Sequence, residues 1–120
     1  MERGDAETWK WPDSLDALVA APRFHSLLFE NDDVRVLVTR IGPGETVPVH
    51  THRWPSVLYI LSTGHFVRRD DEGRVLGDTR AGNAVPATGI ALWTAAMPPH
   101  TVENVDGSEI RLLNIELKNG

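Results

Sequence analysis

The sequence predicts an all-β fold contained in a single domain. Three observations indicate this class. The chain has only 120 residues, strand-like runs recur about every ten residues between Gly, Pro, Asn and Asp, and a helix signal is confined to the first quarter. Roughly seven or eight short strands fit a closed barrel or a two-sheet jelly roll, either of which limits exposed sheet edges.

The helix signal lies close to the N-terminus. Asp13 or Ser14 is placed to cap a run of helix-forming residues from Leu15 to Ala20. Pro22 then stops the run, because proline removes a backbone donor and clashes with the preceding turn. We therefore predict a helix of at most about two turns.

This helix defines an N-terminal arm, residues 1–24, that precedes a β-barrel domain at residues 25–120. Trp9 and Trp11 stand just before the helix. We expect these two large rings to hold the arm over an open edge or mouth of the domain.

The remaining elements are strand-like runs that end at turn residues. The predicted strands are Val34 to Ile41, Val47 to His52, Val57 to Leu61, Phe66 to Arg69, Val75 with Leu76, Ile90 to Thr94, Thr101 to Val105, and Ile110 to Leu117. Asp71-Glu72-Gly73 predicts a hairpin turn with a solvated acidic tip, and Asp106-Gly107 predicts a second hairpin between the last two strands.

Composition excludes several classes of function. The chain has 12 Lys and Arg against 17 Asp and Glu, a net charge of -5, so it lacks the positive charge that binds nucleic acids and anionic membranes. It has no Cys, which excludes disulfides, thiolate metal sites and a cysteine nucleophile. No run approaches the roughly 20 apolar residues of a membrane helix, and Met1 to Thr8 is too polar for a signal peptide. We expect a cytoplasmic protein.

Two histidines stand two residues apart in a strand-like run. Side chains alternate along a strand, so His50 and His52 face the same side with α-carbons about 6 to 7 Å apart, a spacing at which both rings can bind one metal ion. Histidines in such a strand also serve as ordinary hydrogen-bonding residues, so a metal site needs a third ligand. His100, which follows the extended Met97-Pro98-Pro99 segment, is the candidate.

The residues Gly44, His50 and His52 resemble the first motif of the cupin superfamily, whose small barrels mount a metal between two sequence motifs. The motif continues with a Glu that this chain lacks, because the alignment places Ser56 or Val57 there. Strand parity from His52 favours Ser56 facing inward. A Ser56→Glu substitution is then expected to add a metal ligand.

The second cupin motif is matched in register by Gly89, His100 and Asn104, while Ala95 and Met97 replace its Pro and second Gly. The replacements affect the turn before His100 more than the ligand itself. The resemblance implies a single-domain, cupin-like jelly-roll β-barrel, similar to small bacterial cupins.

The resemblance also implies a function. His50, His52 and His100 are expected to bind one divalent transition metal ion, with Fe favoured for catalysis and Zn, Ni, Cu or Mn as alternatives. Such a site is similar to those of three-His cupin dioxygenases and implies a metal-dependent oxidoreductase acting on a small anionic compound. The alternative is a non-catalytic small-molecule-binding or structural cupin without metal. Small cupins commonly form homodimers, and the Trp9 to Ala21 segment offers apolar surface to a partner.

The other polar and aromatic candidates are weaker. Those assigned to substrate binding are Ser56, Tyr59, Trp93 and Arg53. Arg40 is a further residue that could pair with a substrate carboxylate, although a surface ion pair is its more common role. His25 and His65 flank apolar runs and are interpreted as structural histidines.

Overall fold

A computed structural model describes residues 9–82 and 85–119 of the chain. Residues 1–8, whose polar character contributes to the cytoplasmic prediction, lie outside the described residues. The described strands are β1 His25–Glu30, β2 Val34–Ile41, β3 Thr46–His52, β4 Ser56–Ser62, β5 Phe66–Asp70, β6 Val75–Asp78, β7 Ala91–Thr94, β8 Met97–Asn104 and β9 Ile110–Leu117. Helical structure is confined to the short segments Asp13–Leu15, Ala17–Ala20 and Thr79–Ala81 in this part of the chain.

The strands form two antiparallel sheets. One sheet has five strands in the order β1-β2-β9-β4-β7, and the other has four in the order β3-β8-β5-β6. Within the described ranges, no strand pairing joins the two sheets into one closed barrel, and they form a jelly roll. The all-β, jelly-roll prediction is therefore confirmed, with a two-sheet architecture.

Strand alternation explains where the core lies. In β2, Leu37 and Ile41 are buried, whereas Arg40, which directly precedes Ile41, is exposed. Ile41 packs with Val47 and Ile110 of other strands and with two residues that follow the helix, in a core cluster formed by Ala21, Phe24, Ile41, Val47 and Ile110. The core therefore joins the arm to both sheets.

The N-terminal arm contains a 3-10 helix, Asp13–Leu15, followed by a single-turn α-helix, α1, at Ala17–Ala20. The predicted caps, Asp13 and Ser14, do not serve this helix. Asp16 caps it instead, and its carboxylate accepts the Leu18 N–H over 3.1 Å. Because the chain is extended at Asp16, between the two short helices, the N-cap is Asp16 and not the predicted Asp13 or Ser14.

The arm lies along the open edge of β3. Asp16 forms an isolated parallel bridge with Thr51, and Ala17 is completely buried. Trp9 and Trp11 contact each other edge to face, with ring centroids 4.8 Å apart. The arm thus covers a sheet edge of its own chain. None of the described helices has the length and apolar character needed to cross a membrane.

One of the two predicted hairpins is present. Strands β5 and β6 pair antiparallel, and the Asp70 carboxylate accepts the N–H groups of Glu72 and Arg74 at 2.9 Å each in the connecting turn. The hairpin predicted at Asp106-Gly107 was wrong, because β8 and β9 belong to different sheets. Asp106 instead accepts the His65 N–H over 2.8 Å.

Candidate functional site

Four buried histidines from three strands meet between the sheets. His50 and His52 come from β3, and His100, the register partner of His50, comes from β8 in the same sheet. His25 comes from β1 in the opposite sheet. Ring centroids are separated by 4.3 Å for His50 and His100, 4.9 Å for His25 and His50, and 5.1 Å for His50 and His52.

The sequence-predicted set of His50, His52 and His100 is therefore gathered, and His25 joins it. Ligand atoms of His25, His50 and His52 lie within 4.8 Å of one another, so the compact three-His group among the described residues contains His25 in place of the predicted His100. The ring of His100 lies beside that of His50 and farther from that of His52, with a centroid distance of 5.9 Å to the latter. The interpretation of His25 as an isolated structural residue is corrected, because β1 carries its ring to the two β3 histidines. His65 lies apart from the cluster, where its Nδ1 forms a 3.0 Å hydrogen bond with Thr79 Oγ1.

Each ring in this group, which we call the His cluster, is held by a hydrogen bond at Nδ1. The acceptors are Ala21 O for His25 at 3.0 Å, Pro48 O for His50 at 2.8 Å, Glu116 Oε2 for His52 at 2.9 Å and Pro98 O for His100 at 2.8 Å. A carbonyl or carboxylate oxygen only accepts, so the proton resides on each Nδ1. In the neutral form of such a ring Nε2 carries the lone pair, and no Nε2 of the cluster is hydrogen-bonded to a described residue.

Burial keeps three of these imidazoles, those of His25, His50 and His100, uncharged. Burial lowers the pKa of His50 to about 2, and the neighbouring His100, His52 and His25 act in the same direction. Burial likewise lowers the pKa values of His25 and His100 to about 4. Near neutral pH these rings are in the unprotonated form that binds metal ions.

A series of hydrogen-bonded charged side chains holds His52 at its Nδ1 atom. Glu116 is fully buried, and its Oε1 accepts Arg35 Nε over 2.6 Å while its Oε2 accepts His52 Nδ1. The Arg35 guanidinium also donates twice to the Asp16 carboxylate, over 2.8 and 2.9 Å. Burial opposes both charges of this pair, yet the hydrogen bonds raise the pKa of Arg35 and lower that of Asp16. The arm is thereby connected through Arg35 and Glu116 to His52.

Ser56 and Val57, the two alternatives for the absent motif Glu, face opposite sides of β4. Ser56 is buried, stands opposite Glu116 of β9, and its Oγ donates to Trp54 O over 3.4 Å. Val57 faces the other side and stands opposite Trp93 of β7. Strand parity from His52 therefore gave the correct direction for Ser56, although Ser56 does not line the cavity beside the His cluster.

The other predicted substrate-binding residues lie elsewhere. Alternation along β4 and β7 places Tyr59 and Trp93 on the outer face of the five-stranded sheet, away from the cavity. Arg53 lies 3.8 Å from the Asp13 carboxylate and over the ring of Trp54, also outside the cavity lining. No described contact brings these side chains to the His cluster.

A cavity of about 210 Å³ adjoins the His cluster, and all four of its rings line it. Both sheets contribute apolar walls, among them Ile41, Leu58, Ile60, Leu92, Val102 and Leu112. Nitrogen ligands from neutral imidazoles suit divalent transition metals such as Zn, Cu, Fe and Ni. The ligand atoms of His25, His50 and His52 therefore fit a single metal ion beside an apolar cavity, and His100 is a further candidate ligand on the same cavity.

Sequence reasoning missed two participants, His25 and Glu116. The strand that carries His25 lacks clear alternation, since the apolar residues Leu27, Leu28 and Phe29 are consecutive and the β1–β2 pairing shifts register between Leu27 and Phe29. Glu116 does alternate with its neighbours in β9, so its inward direction could have been found. Its contact with His52, 64 residues away, requires the sheet register.

The chain matches no protein-family model and no curated protein. It is similar in structure to a cupin domain from Bordetella pertussis Tohama I, with a TM-score of 0.64 and 23% identity, over 78% of this chain and 91% of that one. An uncharacterized conserved protein with a double-stranded β-helix domain from Klebsiella pneumoniae gives a TM-score of 0.56 and 14% identity over 97% and 88%.

A third similar structure is the polyketide cyclase RemF from Streptomyces resistomycificus, with a TM-score of 0.52 and 21% identity over 79% of this chain and 64% of that one. Identities at this level carry the fold and not the reaction. Together with the two-sheet topology and the two matched motifs, they confirm the resemblance found in the sequence. This chain has the cupin fold, a double-stranded β-helix.

Proposed function

We propose that this protein is a metal-dependent enzyme in which His25, His50, His52 and His100 hold one divalent transition metal ion. The observation that carries the proposal is that all four rings form the same kind of hydrogen bond, from Nδ1 to a protein oxygen. Every Nδ1 is hydrogen-bonded to a protein oxygen, which leaves each Nε2 available to bind an ion at the cavity that all four rings line.

The Nδ1 hydrogen bonds favour a metal ion at the other ring nitrogens. No Nε2 of the His cluster is hydrogen-bonded to a described residue, and all four rings line the cavity, so an ion that enters the cavity can bind to these atoms. Ligand atoms of His25, His50 and His52 lie within 4.8 Å of one another, and the ring of His100 lies beside that of His50. The Nδ1 hydrogen bonds fix the rings as outer partners do in metal sites.

The reaction we propose is a dioxygenase-type oxidation of a small anionic compound. When bound, iron would supply the redox chemistry that such a reaction needs, whereas Zn, Ni, Cu or Mn would supply mainly Lewis-acid or alternative redox chemistry. The protein's own side chains contribute by positioning the compound next to the metal site. Four uncharged ligands leave the charge of the ion uncompensated, which favours an anionic compound, and the apolar walls hold that compound while excluding bulk water.

Oxygen uptake tests this proposal. The full chain is stripped with a chelator, loaded anaerobically with Fe(II), and exposed to oxygen with a panel of small carboxylates, diketones and thiols. We expect uptake with at least one compound, its loss in His100→Ala, and its retention in His65→Ala, which changes a histidine outside the cluster. Uptake no greater than that of His100→Ala across the panel, with iron bound and one compound held unchanged, would contradict catalysis and favour a binding protein.

A further inference from the structure

Arg68 lies in the same cavity as the His cluster. It is on β5 opposite Val102 of β8, and Val102 follows His100 by two residues on the same face of that strand. Such diagonal neighbours are about 7 to 8 Å apart in antiparallel sheets. Arg68 and His100 both line the cavity, and the positive charge of Arg68 adds to burial in lowering the pKa of His100.

The guanidinium of Arg68 has no anionic partner among the described residues. Its Nε is buried and lacks a hydrogen bond, and burial lowers the pKa of Arg68. The next residue, Arg69, points to the other face and pairs with Glu103 over 2.9 Å. Arg111 also has an Nε without a hydrogen bond, but that atom lies 3.5 Å from the Glu109 carboxylate.

The cavity supplies no counterion either. No Asp or Glu is among its described lining residues, and Arg68 is the only Lys or Arg among them. Arg68 is half-buried, but its Nε is fully buried without a hydrogen bond, and leaving a buried donor unpaired costs free energy. Such a group beside an apolar cavity indicates a partner that arrives from outside the chain. A guanidinium presents a planar pair of donors that matches a carboxylate, so this is the anion the site fits best.

The volume of the cavity limits the size of the ligand that carries this carboxylate. A cavity of about 150 Å³ is large enough for benzene, and the cavity here measures about 210 Å³. The remaining space corresponds to one small substituent on such a ring. The walls beside Arg68 include Phe66, Val102 and Leu112, which favour an apolar body over a second charged group.

We infer that Arg68 binds the carboxylate of a small monocarboxylate, of about the size of benzoate or a branched short-chain acid, whose apolar body fills the cavity beside the His cluster. The inference rests on the proposed function only in taking this cavity as the substrate site. It adds a specificity residue and a chemical class of substrate to that site.

Calorimetric titration of the full chain with benzoate and isobutyrate, and with their neutral amides, tests the inference. The metal-stripped and the Zn-loaded chain are both titrated, because an acid could also bind to the metal. In the metal-stripped chain we expect each acid to bind at least about tenfold more tightly than its amide, as expected for hydrogen bonds to a charged group. Arg68→Met removes this preference, Arg68→Lys retains part of it, and Arg69→Met, the matched control, leaves it unchanged.

Thermal melting separates a binding role from a structural one. Without ligand, Arg68→Met is expected to melt at a higher temperature than the wild type, since it removes a half-buried cation that has no anionic partner and a buried Nε that has no hydrogen bond. Benzoate is expected to raise the melting temperature of the wild type and not that of Arg68→Met. A lower melting temperature for ligand-free Arg68→Met, equal acid binding by Arg68→Met and the wild type, or no acid binding by the wild type at millimolar concentration would overturn the inference.

Metal content measured on the same samples distinguishes this inference from the proposed function. A chain that binds benzoate through Arg68 but retains no metal contradicts the proposed metal enzyme and leaves the acid site intact. A chain that holds metal but shows no Arg68-dependent preference for acids contradicts the acid site alone.

Discussion

The Nδ1–H of His52 donates to Glu116 Oε2 over 2.9 Å, and Glu116 is completely buried. The carboxylate fixes the tautomer of His52 and is itself held by Arg35. Glu116 also stands opposite Ser56, the inward-facing alternative for the absent motif Glu. A carboxylate is therefore present next to Ser56, where it accepts a hydrogen bond from His52 and does not line the cavity.

Glu116→Gln is expected to weaken both the fold and the metal site. The amide removes the negative charge that faces buried Arg35, which costs about 3 kcal/mol of unfolding free energy. The amide has one acceptor oxygen and cannot accept from both Arg35 and His52, so metal binding is expected to weaken by roughly 10- to 100-fold. Urea denaturation of the metal-free protein and chelator competition measure the two effects. Glu103→Gln, which alters a half-exposed pair with Arg69, is the control and is expected to cost no more than about 1 kcal/mol.

Ser56→Glu is expected to destabilise the protein rather than add a ligand. Its carboxylate would be buried beside that of Glu116 on the neighbouring strand, and like charges directly opposite each other repel. We expect a loss of roughly 3 kcal/mol in urea denaturation, against less than about 1 kcal/mol for Ser56→Ala, which loses only one long hydrogen bond. Unchanged stability together with tighter metal retention would show that the new side chain reaches the metal.

Local patterns predicted the parts of the fold that depend on alternation. Strands β2, β4 and β9 were found from runs of apolar and polar residues, and the shared direction of His50 and His52 followed from their spacing. The hairpin prediction at Asp106-Gly107 was wrong because a turn signal does not determine whether the two strands beside it pair with each other or enter different sheets. The role of His25 was missed because β1 has consecutive apolar residues and a register shift, so the sequence does not show which side of the strand His25 faces.

Metal-free protein is expected to lose stability as the pH falls below about 6.5. The unfolded histidines have a pKa of 6.5, whereas burial lowers the pKa values of His25 and His100 to about 4 and that of His50 to about 2. Between pH 6.5 and 4 the unfolded chain binds more protons, so the unfolding free energy decreases with falling pH. The slope approaches about 1.4 kcal/mol per pH unit for each of these histidines.

Urea denaturation at a series of pH values measures this slope. His25→Gln is expected to reduce it by the contribution of one histidine. The contribution of this cluster to the slope is expected to decrease below about pH 4, where His25 and His100 become protonated in the folded chain and His50 alone of the three still contributes. A stability that does not change between pH 6.5 and 4 would contradict the account of the buried neutral cluster.

We propose that a second copy of the chain covers the outer face of the five-stranded sheet. Exposed apolar side chains on this face are Phe29, Tyr59, Leu61 and Trp93, and Trp93 is 63% exposed. Five strands of this length span roughly 20 by 26 Å, about 520 Å², which is about two-thirds of the area of about 800 Å² that each partner contributes to a standard interface. The predicted Trp9 to Ala21 surface is less suited, because Ala17 and Ala21 are buried in their own chain.

Light scattering is expected to give twice the chain mass of 13.3 kDa at micromolar concentration. Trp93→Lys is expected to shift the mass toward the monomer, and Val75→Lys, a comparably exposed position on the other sheet, is expected to leave the dimer intact. A mass of one chain for the wild type would contradict the homodimer.

Metal analysis of protein purified without a polyhistidine tag tests the central claim most directly. After incubation with Fe(II), Ni(II), Cu(II) or Zn(II) and removal of excess ion, we predict one metal ion per chain, lost in His25→Ala and in His50→Ala but retained in His65→Ala. A metal content far below one per chain that does not rise with any of these ions, or a stoichiometry unchanged in the two cluster variants, would contradict the assignment of the His cluster as a metal centre.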